Sequence, residues 1–144
     1  MITSIKEYRE YMDNIEYTPD PIDPSTMGPN DIFVFGSNTE GQHRGGAAKA
    51  AVLYYGAIMG QARGLQGNSY AIVTLDYTGE EPITVMEINQ EVIEFLKFAK
   101  EHPELKFWVT KVGCGISNYS IEDIAPIFKS KRIPNNVILP VEFS

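Results

Sequence analysis

The feature that most constrains the fold is an alternation. Short apolar stretches, DIFVFG at 31–36, SYAIVTLD at 69–76, KFWVTKVG at 106–113 and NNVILPVEF at 135–143, are separated by segments with helical periodicity. Strands that alternate with helices imply a largely parallel sheet covered on both faces, because each crossover lays a helix against the sheet. The expected fold class is therefore α/β: a three-layer α/β/α sandwich with a largely parallel, mixed central sheet.

The helical segments differ in how they start and stop. In TVMEINQEVIEFLKFAKEHPE, Thr84 and Glu87 form a capping box, and Ile88, Val92, Phe95, Leu96 and Ala99 recur at helical spacing until His102-Pro103 ends the pattern. AAKAAVLYYGAIMG predicts a helix over 47–60 with Ala47, Ala51, Tyr54/Tyr55 and Ile58 toward the core, and GLQGN at 64–68 reads as a glycine-punctuated connection. Ser120 and Asp123 open a short helix after the third strand. Near the start, Ser4-x-x-Glu7 precedes a helix over 5–13 with Ile5, Tyr8 and Tyr11/Met12 at helical spacing. Residues 14–30 carry Pro19, Pro21, Pro24 and Pro29, so they form an extended strap rather than a helix or a central strand. The organisation expected is a helix and strap, residues 1–30, packed on a domain formed by 31–144. No internal repeat or low-complexity tract is present.

A chain of 144 residues, 43% hydrophobic, is about one domain with a core of ordinary size. Twelve basic residues against 19 acidic ones, a net charge of −7, argue against general nucleic-acid binding, since neutralising a phosphate backbone needs a Lys/Arg surface. A small anion needs only local N–H groups and one or two basic side chains, so that ligand class stays open. No apolar run of about 18 residues exists for a membrane span, and the charged, amphipathic start is unlike a signal peptide. The expected setting is soluble and cytoplasmic, with no membrane partner. The lone Cys114 has no internal disulfide partner, and two histidines far apart in sequence do not suggest a zinc site. The residues point to no metal and no cofactor, and they do not indicate an oligomeric state.

Two strand-to-helix connections are glycine-rich: GSNTEGQHRGG at 36–46 and GCGIS at 113–117. Ligands of open α/β sheets bind outside the carboxyl ends of the strands, where helix N-termini offer unpaired N–H groups. If the two strands are neighbours, Gly45/Gly46 and Gly113/Gly115 border one pocket suited to a diphosphate, and glycine lets a phosphate approach the backbone. HRGGAAKA satisfies neither G-x-G-x-x-G nor the P-loop pattern, so tight structural turns are the competing reading.

Each candidate side chain carries two readings. Asn38 hydrogen-bonds a ligand or orients a water, or else closes the strand as an Asx-turn. Glu40 and His43 are the acid/base-type groups of the first loop and would activate water there, or are solvated loop residues. Arg44 clamps a phosphate or is a free surface charge. Asp76 points into the cleft or caps the following turn. Cys114, between two glycines, is a nucleophile candidate or a small buried side chain beside a turn. Tyr119 stacks on a base or ribose, or belongs to the core.

FVFGSN followed by GQHRGGAAKAA, then GLQGNSYAIVTLD, and later VTKVGCGISNYSIEDIAPIF resemble a bacterial and phage branch of macrodomain-like proteins, over roughly residues 31–140. The resemblance implies a macrodomain-like nucleotide-binding domain that recognises ADP-ribose or a related nucleotide diphosphate. In some members it also implies hydrolysis of an ADP-ribosyl linkage, as an ADP-ribosyl hydrolase or ADP-ribose phosphatase. On that pattern Asn38 matches the asparagine near the distal ribose, Gly45 and Gly46 the first loop, and Gly113, Gly115 and Ile116 the second; Gly36, Ser37, Cys114 and Ser117 lie in the same two stretches and are counted with them as ligand-binding candidates. The match does not extend to the Gly-Asp segment that reads adenine, because Asp31 sits directly against the strand. The alternative to an enzyme is a non-catalytic module that recognises an ADP-ribosylated or phosphorylated partner. A third reading makes the loops structural and the strap an interface.

Overall fold

The computed structural model describes residues 3–13 and 15–144, with the side chains of residues 11–13 also outside the description. It is a five-stranded sheet with helices on both faces, a three-layer α/β/α sandwich. In chain order the elements are α1 (Ile5–Asp13), β1 (Asp31–Asn38), α2 (Gly46–Tyr54), β2 (Gly64–Gln66), β3 (Ser69–Leu75), α3 (Val85–Glu101), β4 (Lys106–Val109), α4 (Ile121–Lys129) and β5 (Val137–Ile138). The strand order is β2-β3-β1-β4-β5, parallel throughout except for the edge strand β2, which is antiparallel to β3. No helix of the described residues is long and apolar enough to cross a membrane.

Alternation along β1 divides the core. Ile32 and Val34 point toward α3 and α4, where Val92, Phe95, Ile124 and Phe128 are fully buried. Phe33 and Phe35 point the other way, onto Ala48, Ala51 and Tyr55 of the α2 side. Phe33 and Tyr55 stack with ring centroids 4.3 Å apart. The strap joins this second layer through Ile22 and Met27, and is tied to the far edge by Thr18, whose N–H and hydroxyl reach Leu139 O (2.9 Å) and Ile138 O (3.0 Å).

Helix α3 follows the expected register: the Thr84/Glu87 box is closed in both directions, and all five apolar positions are buried. Ser120 and Asp123 cap α4 in the same way. At α1, Ser4 accepts from the Glu7 N–H (3.1 Å), while the Glu7 carboxylate turns to Thr3. Ile5 and Tyr8 of the expected apolar stripe are exposed; Tyr11 and Met12 lie outside the described side chains.

Several boundaries differ from the expectation. The helix expected over 47–60 ends at Tyr54, where Gly56 (φ +73°) turns the chain, and its core face is Ala48, Ala51 and Tyr55. Ala47, Tyr54 and Ile58 are exposed: Ala47 and Tyr54 fall outside the helix face that Ala48 and Ala51 bury, and Ile58 lies beyond the helix end. The GLQGN connection contains β2, a short hairpin strand with Gln66 paired to Ser69. Strand β1 runs two residues past Gly36 to Asn38. At the other end, 135–143 pairs only at Val137–Ile138, because Pro140 has no N–H to donate and residues 141–143 coil into a 3₁₀ turn that seats Phe143 on Phe128.

Candidate functional site

Strand β1 has β3 on one side and β4 on the other, so the chain crosses over β1 between them, and the connections leaving β1 and β4 diverge. Such a reversal opens a crevice at the carboxyl ends of the strands. Here it is a cavity of about 610 Å³ walled by three connections, those after β1, β3 and β4.

The first wall ends at the start of α2. Gly45 is the N-cap residue, in extended conformation and with no side-chain cap, so the N–H groups of the first turn have neither an intrahelical partner nor a capping oxygen. Gly45, Gly46, Ala47 and Ala48 all line the cavity. Arg44 lines it too, exposed and without an ion pair among the described residues. Across the cavity stand Gly113, Gly115, Ile116 and Ser117. The two loops touch: Ile116 Cδ1 lies 3.3 Å from where a Cβ on Gly45 would sit.

The glycines of the second loop serve different ends. Gly113 has φ +81°, and a Cβ there would meet Ile124 at 3.0 Å, so its absence of side chain is demanded by the fold. Gly115 has no left-handed backbone, and a Cβ there would meet nothing within 4 Å. Its openness faces the cavity.

The floor is made of buried hydroxyls. The β1/β3 register shifts between Ser37 and Asn38, which leaves Thr74 over Gly36; a Cβ on Gly36 would come within 3.0 Å of Thr74 Oγ1. Ser117 donates to Thr74 Oγ1 (2.9 Å), tying the second loop to β3. Ser37 donates to Ala62 O (2.8 Å).

Asn38 is buried at the cavity wall, and most of its amide is engaged. Its Oδ1 accepts from the N–H groups of Glu40 (3.1 Å) and Gln42 (2.9 Å), and its Nδ2 donates to Gln42 O (3.0 Å). That is the Asx-type closure, with one Nδ2 hydrogen left over. The two acid/base candidates of the first loop lie outside the cavity lining. Glu40 is exposed. His43 is buried on the α2 side, its ring edge-on to Phe35 with centroids 5.1 Å apart and its Nε2 facing Gln61 O and Gln66 Oε1.

Asp76 also stands outside the cavity lining and caps its turn. The Thr78 hydroxyl (2.5 Å) and N–H (2.9 Å) donate to its Oδ1, and the hydroxyl bond above all holds its carboxyl below the usual range. Tyr119 packs against the main core and donates to Ile83 O (2.8 Å). Cys114 is half-buried beside that core, and burial pushes its thiol up.

A second chamber of about 560 Å³ adjoins the first, between the strap and α2. It shares Gly46, Ala47, Thr110, Lys111 and Gly115 with the first chamber and adds Pro21, Ile22, Tyr54 and Cys114. Lys111 stands at the junction, its ammonium 3.0 Å from Asp20 and 3.4 Å from Glu142; the hydrogen bond to Asp20 holds its pKa up.

The sequence reading missed Gln42, Thr74, Tyr77, Thr78, Gly79, Glu80 and Lys111 as lining residues. The Thr-Gly turn after the second strand was a usable signal, because a turn at a strand's carboxyl end borders the crevice by topology alone. Lys111 carried no signal of its own, since its role depends on the strap folding back onto β4.

No protein-family model, curated protein or solved structure matches the chain.

Proposed function

We propose that the chain binds ADP-ribose or a related nucleotide diphosphate across the two chambers. The observation that carries this reading is the uncapped N-terminus of α2, opening with Gly45 and Gly46 onto a cavity whose opposite wall is the open backbone at Gly115. A diphosphate laid between them would take N–H donors from both walls and the guanidinium of Arg44. The distal sugar would meet the free Asn38 N–H, while the second chamber, mainly apolar and aromatic with Lys111 and Asp20 as its charged lining residues, suits the face of a base. The macrodomain resemblance supports the same ligand.

Recognition without turnover is the reading favoured by the positions of Glu40 and His43. A general base must come within hydrogen-bonding reach of the attacking water, and neither side chain lines the cavity. Among the described residues, Glu80 is the one carboxylate that does.

Calorimetric titration with ADP-ribose, ADP and AMP is the direct test. Binding should be strongest for ADP-ribose and weakest for AMP, which has a single phosphate. No heat and no thermal shift at about millimolar ligand, a floor of roughly 4 kcal/mol in affinity, would dispose of the reading. Incubation with ADP-ribosylated protein and with ADP-ribose 1″-phosphate then separates module from enzyme: intact substrate beside measurable binding supports the module.

A further inference from the structure

We propose that His43 is a positioning residue, whose buried imidazole anchors the loop 39–45 to the turn 60–66 and thereby sets where Arg44 and the Gly45 and Gly46 amides meet a ligand. The inference rests on the diphosphate reading for what the loop holds, and on geometry alone for what holds the loop.

The loop and the turn are in close contact. A Cβ on Gly41 would come within 2.6 Å of Gln61 N and Gly60 C, and the Gly60 N–H donates to Gly41 O (2.9 Å). His43 is the side chain that extends this contact toward Arg44. Only 3% exposed, it sets Nε2 at 3.0 Å from Gln61 O and 3.1 Å from Gln66 Oε1. Both are acceptors, so Nε2 carries the proton and donates to them.

Gln66 is itself immobilised. It is buried, its Oε1 also accepts from the Ile58 N–H (2.8 Å), and its amide nitrogen donates to Gln61 O (3.1 Å) and Gly64 O (3.3 Å). The anchor therefore ends on a hydrogen-bonded framework rather than on a free side chain. Such a framework fixes one arrangement only when its members are all present. The other ring nitrogen, Nδ1, is buried without a partner among the described residues, so neither nitrogen is turned to the cavity chemistry. One residue on, Arg44 is exposed and lines the cavity. A change at His43 thus reaches the ligand through its neighbour.

Amide hydrogen exchange on the ligand-free protein tests the anchor directly. His43→Leu should speed exchange at Gln42, Arg44 and Gly60, whose amides donate to Asn38 Oδ1, Gln42 O and Gly41 O, by at least about tenfold while the amides of β1 and β3 keep their protection. His43→Gln, whose side-chain amide can donate to the same two acceptors, should restore slow exchange. Gln66→Met, which leaves the imidazole and removes an acceptor, should speed the same three amides. Unchanged exchange in the loop, or an equal rise in β1 and β3, would overturn the proposal by making His43 an ordinary core residue. A double-mutant cycle adds a readout that core packing would not move: Arg44→Ala should weaken ADP-ribose binding about tenfold in the wild type and less than about twofold beside His43→Leu. Equal losses in both backgrounds would also overturn it. A wild type that binds no ADP-ribose defeats the diphosphate reading instead, and the exchange measurement still decides the anchor.

Discussion

Gly115 is the residue at which binding and folding come apart. The backbone there is not left-handed and the space above it is empty, so a side chain meets no obstacle from the protein. A phosphate lying against the same backbone would meet that side chain. Gly115→Val is therefore expected to keep the melting temperature within about 2 °C of wild type, the ordinary range of a neutral surface change, and to weaken ADP-ribose by more than about tenfold. Binding at wild-type strength would place the diphosphate elsewhere. Gly113 is the internal contrast: its φ of +81° and its contact with Ile124 make the same substitution a folding lesion, although the two glycines look alike in GCG.

At the scale of elements, legibility followed how local the cause was. Helix α3 could be read because its capping box, its five apolar positions and its stop at His102-Pro103 all lie within its own residues. Thr84→Ala should accordingly cost about 1 kcal/mol in urea unfolding and leave ADP-ribose affinity unchanged, since Thr84 does not line the cavity; a change in affinity would mean that the start of α3 sets the loop after β3. Helix α2 was harder to place, because its large side chains, Leu53 and Tyr54, are exposed while its buried face is made of alanines. Its core side is decided by Phe33 and Phe35 across the layer. Strand β5 was over-read for a related reason: Val141 and Phe143 are apolar, yet Phe143 is buried by a 3₁₀ turn against Phe128 rather than by strand pairing. In the candidate site, the two glycine loops could be found from their own residues. The Asx closure of Asn38, made with Glu40 and Gln42, was one of its two readings; the roles of His43 and Lys111 could not be found, because they depend on what the turn 60–66 and the strap bring alongside.

Across the whole molecule, the larger core closes around β1, β3 and β4 on the α3/α4 side, and Tyr70 of β3 lies in it between Phe95, Phe98 and Phe107. Burial, with Glu91 and Glu94 adding like charge, pushes its phenol from 10.0 up to about 12. The consequence for stability has a definite sign. Below pH 10 the phenol is protonated in both folded and unfolded chains and has no differential effect. Above it the unfolded chain gives up the proton first, so the unfolded state binds fewer protons and stability falls as pH rises, until the folded phenol also ionises near 12. Other ionising groups contribute to alkaline unfolding, Tyr55 among them, since burial raises its phenol as well. The informative quantity is therefore a difference between two proteins. Tyr70→Phe keeps the aromatic packing and removes the ionisable group. The urea midpoint of wild type minus that of Tyr70→Phe, followed from about pH 8 upward, should stay level to about pH 10 and then drop steadily toward about pH 12. A difference that stays level across the whole range would mean that the Tyr70 phenol ionises as readily in the folded core as in the open chain.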